Sequence, residues 1–279
     1  MIPVSTHTMM DVLISENYDS WPIVHSSMKP NSNDNWCGTD NEKDFLINLK
    51  QLPQDWIYRT KSISYKFNNN GLRMDKELDQ VDKSYMIAFG CSHTVGIGVA
   101  LEDSWPYLLS KELNLDYINS AVSGSSIKLN CINFFNMLST VETLPKIVAF
   151  AWPSSIRHVT YSEGQFLFYL PRYTSNDAKF KYHIRAYENM LLTDILTYDA
   201  IFYRNMVKTT CNRLGIKYCE ISFDSRCEFS NLLKIDVAEL LTDFNRLARD
   251  IRKKSDGSYF AHAGIGVHAL AKNLLLKQL

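Results

Sequence analysis

From Tyr85 onward the chain alternates short apolar runs with segments of helical spacing, and turn residues stand between them. Tyr85–Phe89 is wholly apolar and predicts a buried strand, and Asp103–Leu113 predicts a helix with Asp103 as its N-cap. Tyr117–Val122 predicts a second short strand, followed by a helix over Ser126–Thr140. Lys146–Trp152 is the clearest strand, apolar on both faces and therefore covered on both. Glu163–Pro171 reads as a strand or hairpin, Ala186–Leu214 as a long helix, and Ile216–Ser222 as another strand. Val237, Leu240, Leu241, Phe244, Leu247, Ala248 and Ile251 recur at helical spacing. A last amphipathic helix begins near Gly266.

The residues before Tyr85 have a different texture. They hold Trp21, Trp36 and Trp56, three of the five tryptophans, and polar stretches such as Lys29–Asn35 and Asn68–Gly71. Ser62–Asn68 alternates strictly, with Ile63, Tyr65 and Phe67 on one face of a half-buried strand, and Asn70-Gly71 marks a turn. Strands alternating with helices imply parallel βαβ units and a sheet between helical layers. Residues 83–279 therefore read as one α/β domain. Residues 1–82 read as a loop-rich extension with a short hairpin and no core of its own.

Composition changes this picture little. Of 279 residues, 46% are apolar and 22% charged, and thirty acidic side chains balance thirty basic ones. No basic footprint points to nucleic acid or an anionic membrane. No apolar run reaches the roughly 18 residues of a membrane span. The first residues carry acids early and lack a basic segment, so they do not read as a signal peptide. The six cysteines (37, 91, 131, 211, 219 and 227) form no C-x-x-C pair, which favours buried thiols over disulfides or a structural metal site. Neither metal nor cofactor is expected.

In parallel α/β sheets, ligands sit at the carboxyl ends of the strands. Gly90-Cys91-Ser92-His93-Thr94 lies at one such end, where a turn exposes a serine hydroxyl beside backbone N–H groups and ahead of a helix's positive end. Alone, it reads more readily as a tight structural turn. Ser123-Gly124-Ser125 follows the second strand and offers another backbone N–H. Asp256, His262 and His268 precede or open the final helix, where an acid can orient an imidazole.

With these segments in this order, the chain from Tyr85 to Leu279 resembles the SGNH (GDSL-type) hydrolase family. Gly90-Cys91-Ser92 corresponds to its Gly-Asp-Ser block, Gly124 to its second block, and Asp256 with His262-Ala263-Gly264 to its closing Asp-x-x-His block. The resemblance implies a flavodoxin-like three-layer αβα sandwich with a mainly parallel sheet, and a serine esterase acting on acyl or acetyl esters of carbohydrates or lipids. It implies Ser92 as nucleophile, His262 as base and Asp256 as the orienting acid, with the oxyanion held by Ser92, Gly124 and Ser154. The expected partner is a small-molecule or glycan ester. The aromatic-rich extension resembles a leader of SGNH-like proteins of tailed phages and marine bacteria. That leaves homo-oligomer or virion assembly open, and cytoplasm or virion as the location.

The chain departs from the family pattern at three places. Cys91 replaces the acid of Gly-Asp-Ser, a position that does not react, and Ser154 stands where the third block has an asparagine. Asp256 lies six residues before His262 where three are expected, and an ungapped register would put Tyr259 in the histidine's place. Asp250 is the fallback acid. His93 and Arg157 are assigned to the substrate side, and His268 to a structural role. Tyr161–Tyr173 and the N-terminal tryptophans offer either a sugar-stacking platform or core aromatics. The alternative function is an SGNH-fold binding or structural module with reduced catalysis. It would leave His262 facing solvent.

Overall fold

The computed structural model describes residues 28–162, 165–169, 178–224, 227, 229, 232–235, 247–253 and 259–279. The extension contributes β1 (Asn33–Asp34), α1 (Glu42–Gln51) and β2 (Tyr65–Lys66). Ile63, Tyr65 and Phe67 are buried, as their alternation requires. The expected turn forms, with Asn68 N–H donating to the Leu72 carbonyl and Gly71 at φ 71°. The partner of β2 is nevertheless the distant β1, paired antiparallel with Asp34 opposite Tyr65.

The α/β part runs β3 (Tyr85–Phe89), α2 (Ser92–Val95), α3 (Trp105–Leu113), β4 (Asp116–Asn119), α4 (Ile127–Thr140) and β5 (Ile147–Trp152). A hairpin of β6 (His158–Ser162) and β7 (Gln165–Tyr169) follows, then α5 (Ala178–Leu191), α6 (Ile195–Leu214), β8 (Lys217–Ser222) and β9 (Leu233–Lys234). A two-residue pair, β10 (Arg252–Lys253) with β11 (Tyr259–Phe260), leads to α7 (Ile265–Leu276). The main sheet has the order β4-β3-β5-β8-β9, and every pairing is parallel. Counted along the chain this is 2-1-3-4-5, the flavodoxin-like order, with its switch point beside β3. Helices α3 and α7 pack together, as do α4 and α6, giving the two layers of an α/β sandwich. All residues of β3 and β5 are buried, which is why their runs carry no polar alternation.

The extension is built into this core. Leu52, Trp56, Tyr58, Tyr65, Leu72 and Met74 belong to the same buried cluster as Phe89 and Phe150. Removing a Leu or Met side chain from water contributes roughly 1.5–3 kcal/mol each. Trp56 is core, edge-on to Tyr58 at 5.4 Å, and is no sugar platform. Trp21 and residues 170–173 lie outside the described residues.

Three local expectations are corrected by longer-range or side-chain bonds. The N-cap of α3 is Ser104, because Asp103 sits in a preceding 3-10 turn and pairs with Lys61 at 2.5 Å. The long helix is two helices. Thr193 Oγ1 donates to the Met190 carbonyl at 3.0 Å and accepts from Ile195 N–H at 3.4 Å, which ends one helix and starts the next. Leu247–Ile251 is not helical: Ala248 N–H donates to the His262 carbonyl and Arg249 N–H to the Gly98 carbonyl. Of the expected helix, residues 237–246 lie outside the description.

Candidate active site

Ser92 is placed by a turn that only glycine permits. A Cβ on Gly90 would lie 2.1 Å from Thr94 Oγ1 and 3.0 Å from the Ala151 carbonyl oxygen. The chain therefore turns hard against β5 as it leaves β3. Cys91 is a buried residue at the N-cap of α2, as a small structural thiol would be. Helix α2 is one turn long and ends at Gly96 with φ 82°. Such a segment supplies little axial dipole, so the expected positive helix end is replaced by local N–H groups. Arg73, from the extension, clasps the loop behind it by donating to the carbonyls of Val95, Gly96 and Val99.

Ser92 Oγ lies 2.6 Å from His262 Nε2, and His262 Nδ1 lies 2.6 Å from Asp250 Oδ2. The His262 N–H donates to Asp250 Oδ1 at 3.0 Å, and Thr39 Oγ1 is 2.5 Å from Asp250 Oδ2. An ionised carboxylate only accepts, so Nδ1 carries the ring proton and the Thr39 hydroxyl is a donor. In the neutral ring Nε2 is then bare and receives the Ser92 proton. Burial works against the charge on Asp250, but His262 and the bonds it and Thr39 donate hold the carboxyl below its ordinary range.

The carboxylate at the imidazole is thus the fallback acid, Asp250, in the place expected of Asp256. Asp256 itself lies outside the described residues. His262 meets Ser92, and it is buried rather than turned to solvent. The hairpin explains the stretched spacing. Its register pairs Arg252 with Phe260 and Lys253 with Tyr259. Beyond it Leu247 bridges Ala263, so residues 248–251 bulge between the two pairings, and Asp250 in that turn reaches back to accept the His262 N–H.

The turn bearing Asp250 is gripped from two sides. A Cβ on Gly98 would lie 2.5 Å from Ala248 Cβ, so Gly98, at φ 81°, lets the two loops touch. Its N–H donates to Tyr65 Oη at 2.7 Å, and Tyr65 donates to Asp40 Oδ2 at 2.5 Å. Asp40 receives Arg249 Nε at 3.0 Å and Nη2 at 2.8 Å, and both side chains are buried. Asn48 Nδ2 donates to the Ile251 carbonyl at 2.7 Å. Sequence reasoning missed Thr39, Asp40 and Arg249, which carry no motif.

The remaining candidates line the carboxyl ends of β3, β4 and β5. Gly124 has φ 76° in a turn closed by Ser125 N–H donating to the Val122 carbonyl, the backbone a type II turn demands. Among the described residues, neither the Ser92 N–H nor the Gly124 N–H donates to an acceptor. Ser154, just past β5, is fully buried, and its Oγ has no partner among the described residues.

His93 is held in the wall beside the base. Its Nδ1 accepts the Ala263 N–H at 3.1 Å, its ring stacks on Phe223 at 5.1 Å, and it meets the His262 ring edge at 4.7 Å. Burial first, then the charges of His262, Arg157 and His268, push its pKa well down, so it stays neutral. Arg157 is half-buried. His268 is structural, accepting the Trp105 N–H through Nδ1 at 3.1 Å. All six cysteines are free thiols, five of them buried. Among the described residues no group of three or more His, Cys, Asp or Glu is arranged to hold a metal ion, and no helix is long and apolar enough to cross a membrane.

No family model and no curated protein matches the chain. Among solved structures it is similar to a G-D-S-L family protein from Desulfitobacterium hafniense DCB-2, at 14% identity over 70% of this chain and 99% of that one, with a TM-score of 0.30. A member of the lipolytic G-D-S-L family from Veillonella parvula DSM 2008 is likewise 14% identical, over 70% of this chain and 97% of that one, with a TM-score of 0.33. A family two carbohydrate esterase from Clostridium thermocellum, solved with cellohexaose, is 15% identical over 70% of this chain and 65% of that one, with a TM-score of 0.31.

Proposed function

We propose that the chain is a serine ester hydrolase of the SGNH kind, acting on acyl or acetyl esters of a carbohydrate or lipid. The observation that carries this reading is the relay from half-buried Ser92 Oγ through His262 to Asp250, with both links at 2.6 Å. A serine hydroxyl becomes nucleophilic when a base takes its proton, and the base needs a fixed tautomer to do so. Both conditions are met by the same imidazole.

Ser92 Oγ attacks the ester carbonyl carbon while His262 Nε2 takes its proton, and buried Asp250 balances the imidazolium. The oxyanion is received by the Ser92 and Gly124 N–H groups and by the Ser154 hydroxyl, which have no other acceptor among the described residues. As the tetrahedral adduct collapses, the alcohol leaves with the proton from His262, and the acyl group stays on Ser92. Water then attacks the acyl-serine, again giving its proton to His262. Breakdown of this second adduct returns that proton to Ser92 Oγ and releases the acid. Neutral His93 and the Arg157 cation flank the substrate side.

The test is hydrolysis of p-nitrophenyl acetate and butyrate by the wild type, Ser92→Ala and His262→Ala. Wild-type turnover lost in both variants, with both still folded, is the expected result. Turnover in Ser92→Ala equal to that of the wild type overturns the assignment.

A further inference from the structure

The acid has a third partner that lies in none of the family blocks. We propose that Thr39, supplied by the N-terminal extension, is a positioning residue for the Asp250–His262 pair. It would make the extension part of the apparatus that prepares Ser92. The inference rests on the hydrolase reading and deepens it.

The chemistry follows from donors and acceptors. Thr39 Oγ1 lies 2.5 Å from Asp250 Oδ2, the same oxygen that receives the proton of His262 Nδ1. The carboxylate can only accept, so the single hydroxyl proton of Thr39 is committed to it. The hydroxyl oxygen is 3.5 Å from Nδ1, whose own proton points to Oδ2, so Thr39 acts through the carboxylate and not on the ring. The terminal torsion of an aspartate is broad and roughly two-fold, and packing alone defines it weakly. Two donors converging on Oδ2 and one on Oδ1 define it sharply.

Thr39 is itself held by a device suited to this task. Cys37 and Asp40 exchange backbone hydrogen bonds at 3.0 Å, closing a tight turn around it, and Asn41 Nδ2 donates to the Thr39 carbonyl at 3.1 Å. Its neighbour Asp40 grips Arg249, the residue next to Asp250, through the buried ion pair at 2.8 Å. Adjacent residues of the extension thus hold adjacent residues of the acid turn, one pair by charge and the other by a hydroxyl aimed at the reacting relay. An ion pair alone would secure the turn. The second contact specifies the carboxylate.

The experiment uses the full chain with Thr39→Val, which deletes the hydroxyl at nearly constant shape, and Thr39→Ser, which keeps it. Turnover of p-nitrophenyl acetate, melting temperature and the far-downfield proton resonance of His262 Nδ1–H are measured for each. Thr39→Val is expected to lower kcat by about tenfold to about a hundredfold, the range of a hydrogen bond to a charged group, with KM unchanged. Its downfield resonance moves upfield or broadens, whereas Thr39→Ser retains the kcat and the resonance of the wild type. On an Asp250→Asn background, Thr39→Val adds no further loss. Wild-type kcat and an unchanged resonance in Thr39→Val overturn the proposal, as does equal loss in the valine and serine variants. If the wild type does not hydrolyse the ester, the hydrolase reading fails at that point. The resonance then decides the role of Thr39: a change in Thr39→Val alone upholds it, and no change overturns it.

Discussion

Asp250→Asn separates the acid of this site from its sequence neighbour. The carboxylate receives His262 N–H on Oδ1 at 3.0 Å, and His262 Nδ1–H and the Thr39 hydroxyl on Oδ2 at 2.6 and 2.5 Å. An asparagine must put its NH₂ in one of these places. At the Oδ1 position it would face a backbone N–H that cannot change direction, leaving a buried donor unsatisfied at a cost of about 1–3 kcal/mol. At the Oδ2 position it faces two groups that can adapt: Thr39 rotates to accept, and the imidazole moves its proton from Nδ1 to Nε2. The second arrangement wins, and it aims a proton at Ser92 Oγ, only 2.6 Å away. The base is then blocked by its own tautomer. A tautomer error of this kind lowers kcat by about 10⁴, or about 5 kcal/mol of transition-state stabilisation. The assay is p-nitrophenyl acetate turnover by Asp250→Asn beside Asp256→Asn, with thermal melts to show that both fold. Asp256→Asn is expected to keep wild-type turnover. An Asp250→Asn enzyme within tenfold of wild type, or an equal loss in Asp256→Asn, would refute the reasoning.

Two further outcomes are expected. Ser154→Ala removes a buried hydroxyl that has no other partner among the described residues, and should lower kcat by about 10²–10³ with little change in KM; a wild-type kcat removes Ser154 from the oxyanion site. Glu220→Gln tests a structural network. Burial raises the Glu220 pKa, but Arg204, the Tyr218 hydroxyl at 2.6 Å and Trp152 Nε1 at 2.8 Å outweigh it and hold the carboxyl below its ordinary range. A depressed folded pKa means that this stability is present above the unfolded value of about 4.3 and lost as pH falls through the folded one. Breaking the pair should cost roughly 3–5 kcal/mol at neutral pH and flatten the acid limb of stability, as read by urea unfolding across pH. An unchanged midpoint at neutral pH would count against the network.

Much of the frame was legible because burial on both faces of a strand leaves a local signature. Tyr85–Phe89 and Ile147–Trp152 are apolar throughout for that reason, and Ile63, Tyr65 and Phe67 alternate because only one face is covered. Ser92 and His262 were legible from their order along the chain. Leu247, Ala248 and Ile251 imitate helical periodicity because all three are buried. They are buried in a turn whose backbone bonds go to Gly98 and His262, and no local pattern encodes such tertiary bonds. Thr39 was invisible for a related reason, since it meets Asp250 across 211 residues and a lone threonine in a polar loop carries no signal.

The Asp250–His262 contact shows how residues distant in sequence are held in one fixed geometry. In Asp-x-x-His, sequence distance itself brings the carboxylate to the ring. Here Asp250 lies twelve positions before His262, in a turn held between the Leu247–Ala263 bridge and the Arg252–Phe260 pair, and those two pairings do that work instead. Residues opposite each other in an antiparallel pair lie about 4.5–5.5 Å apart whatever the length of the loop beyond them. Once Arg252 and Phe260 pair, the residues between Lys253 and Tyr259 can vary without moving the acid. The geometry then depends on what fixes the open end of the hairpin. That end is where Arg249 meets Asp40 and Asp250 meets Thr39, so the wide acid-to-base spacing and the docked extension belong to the same solution.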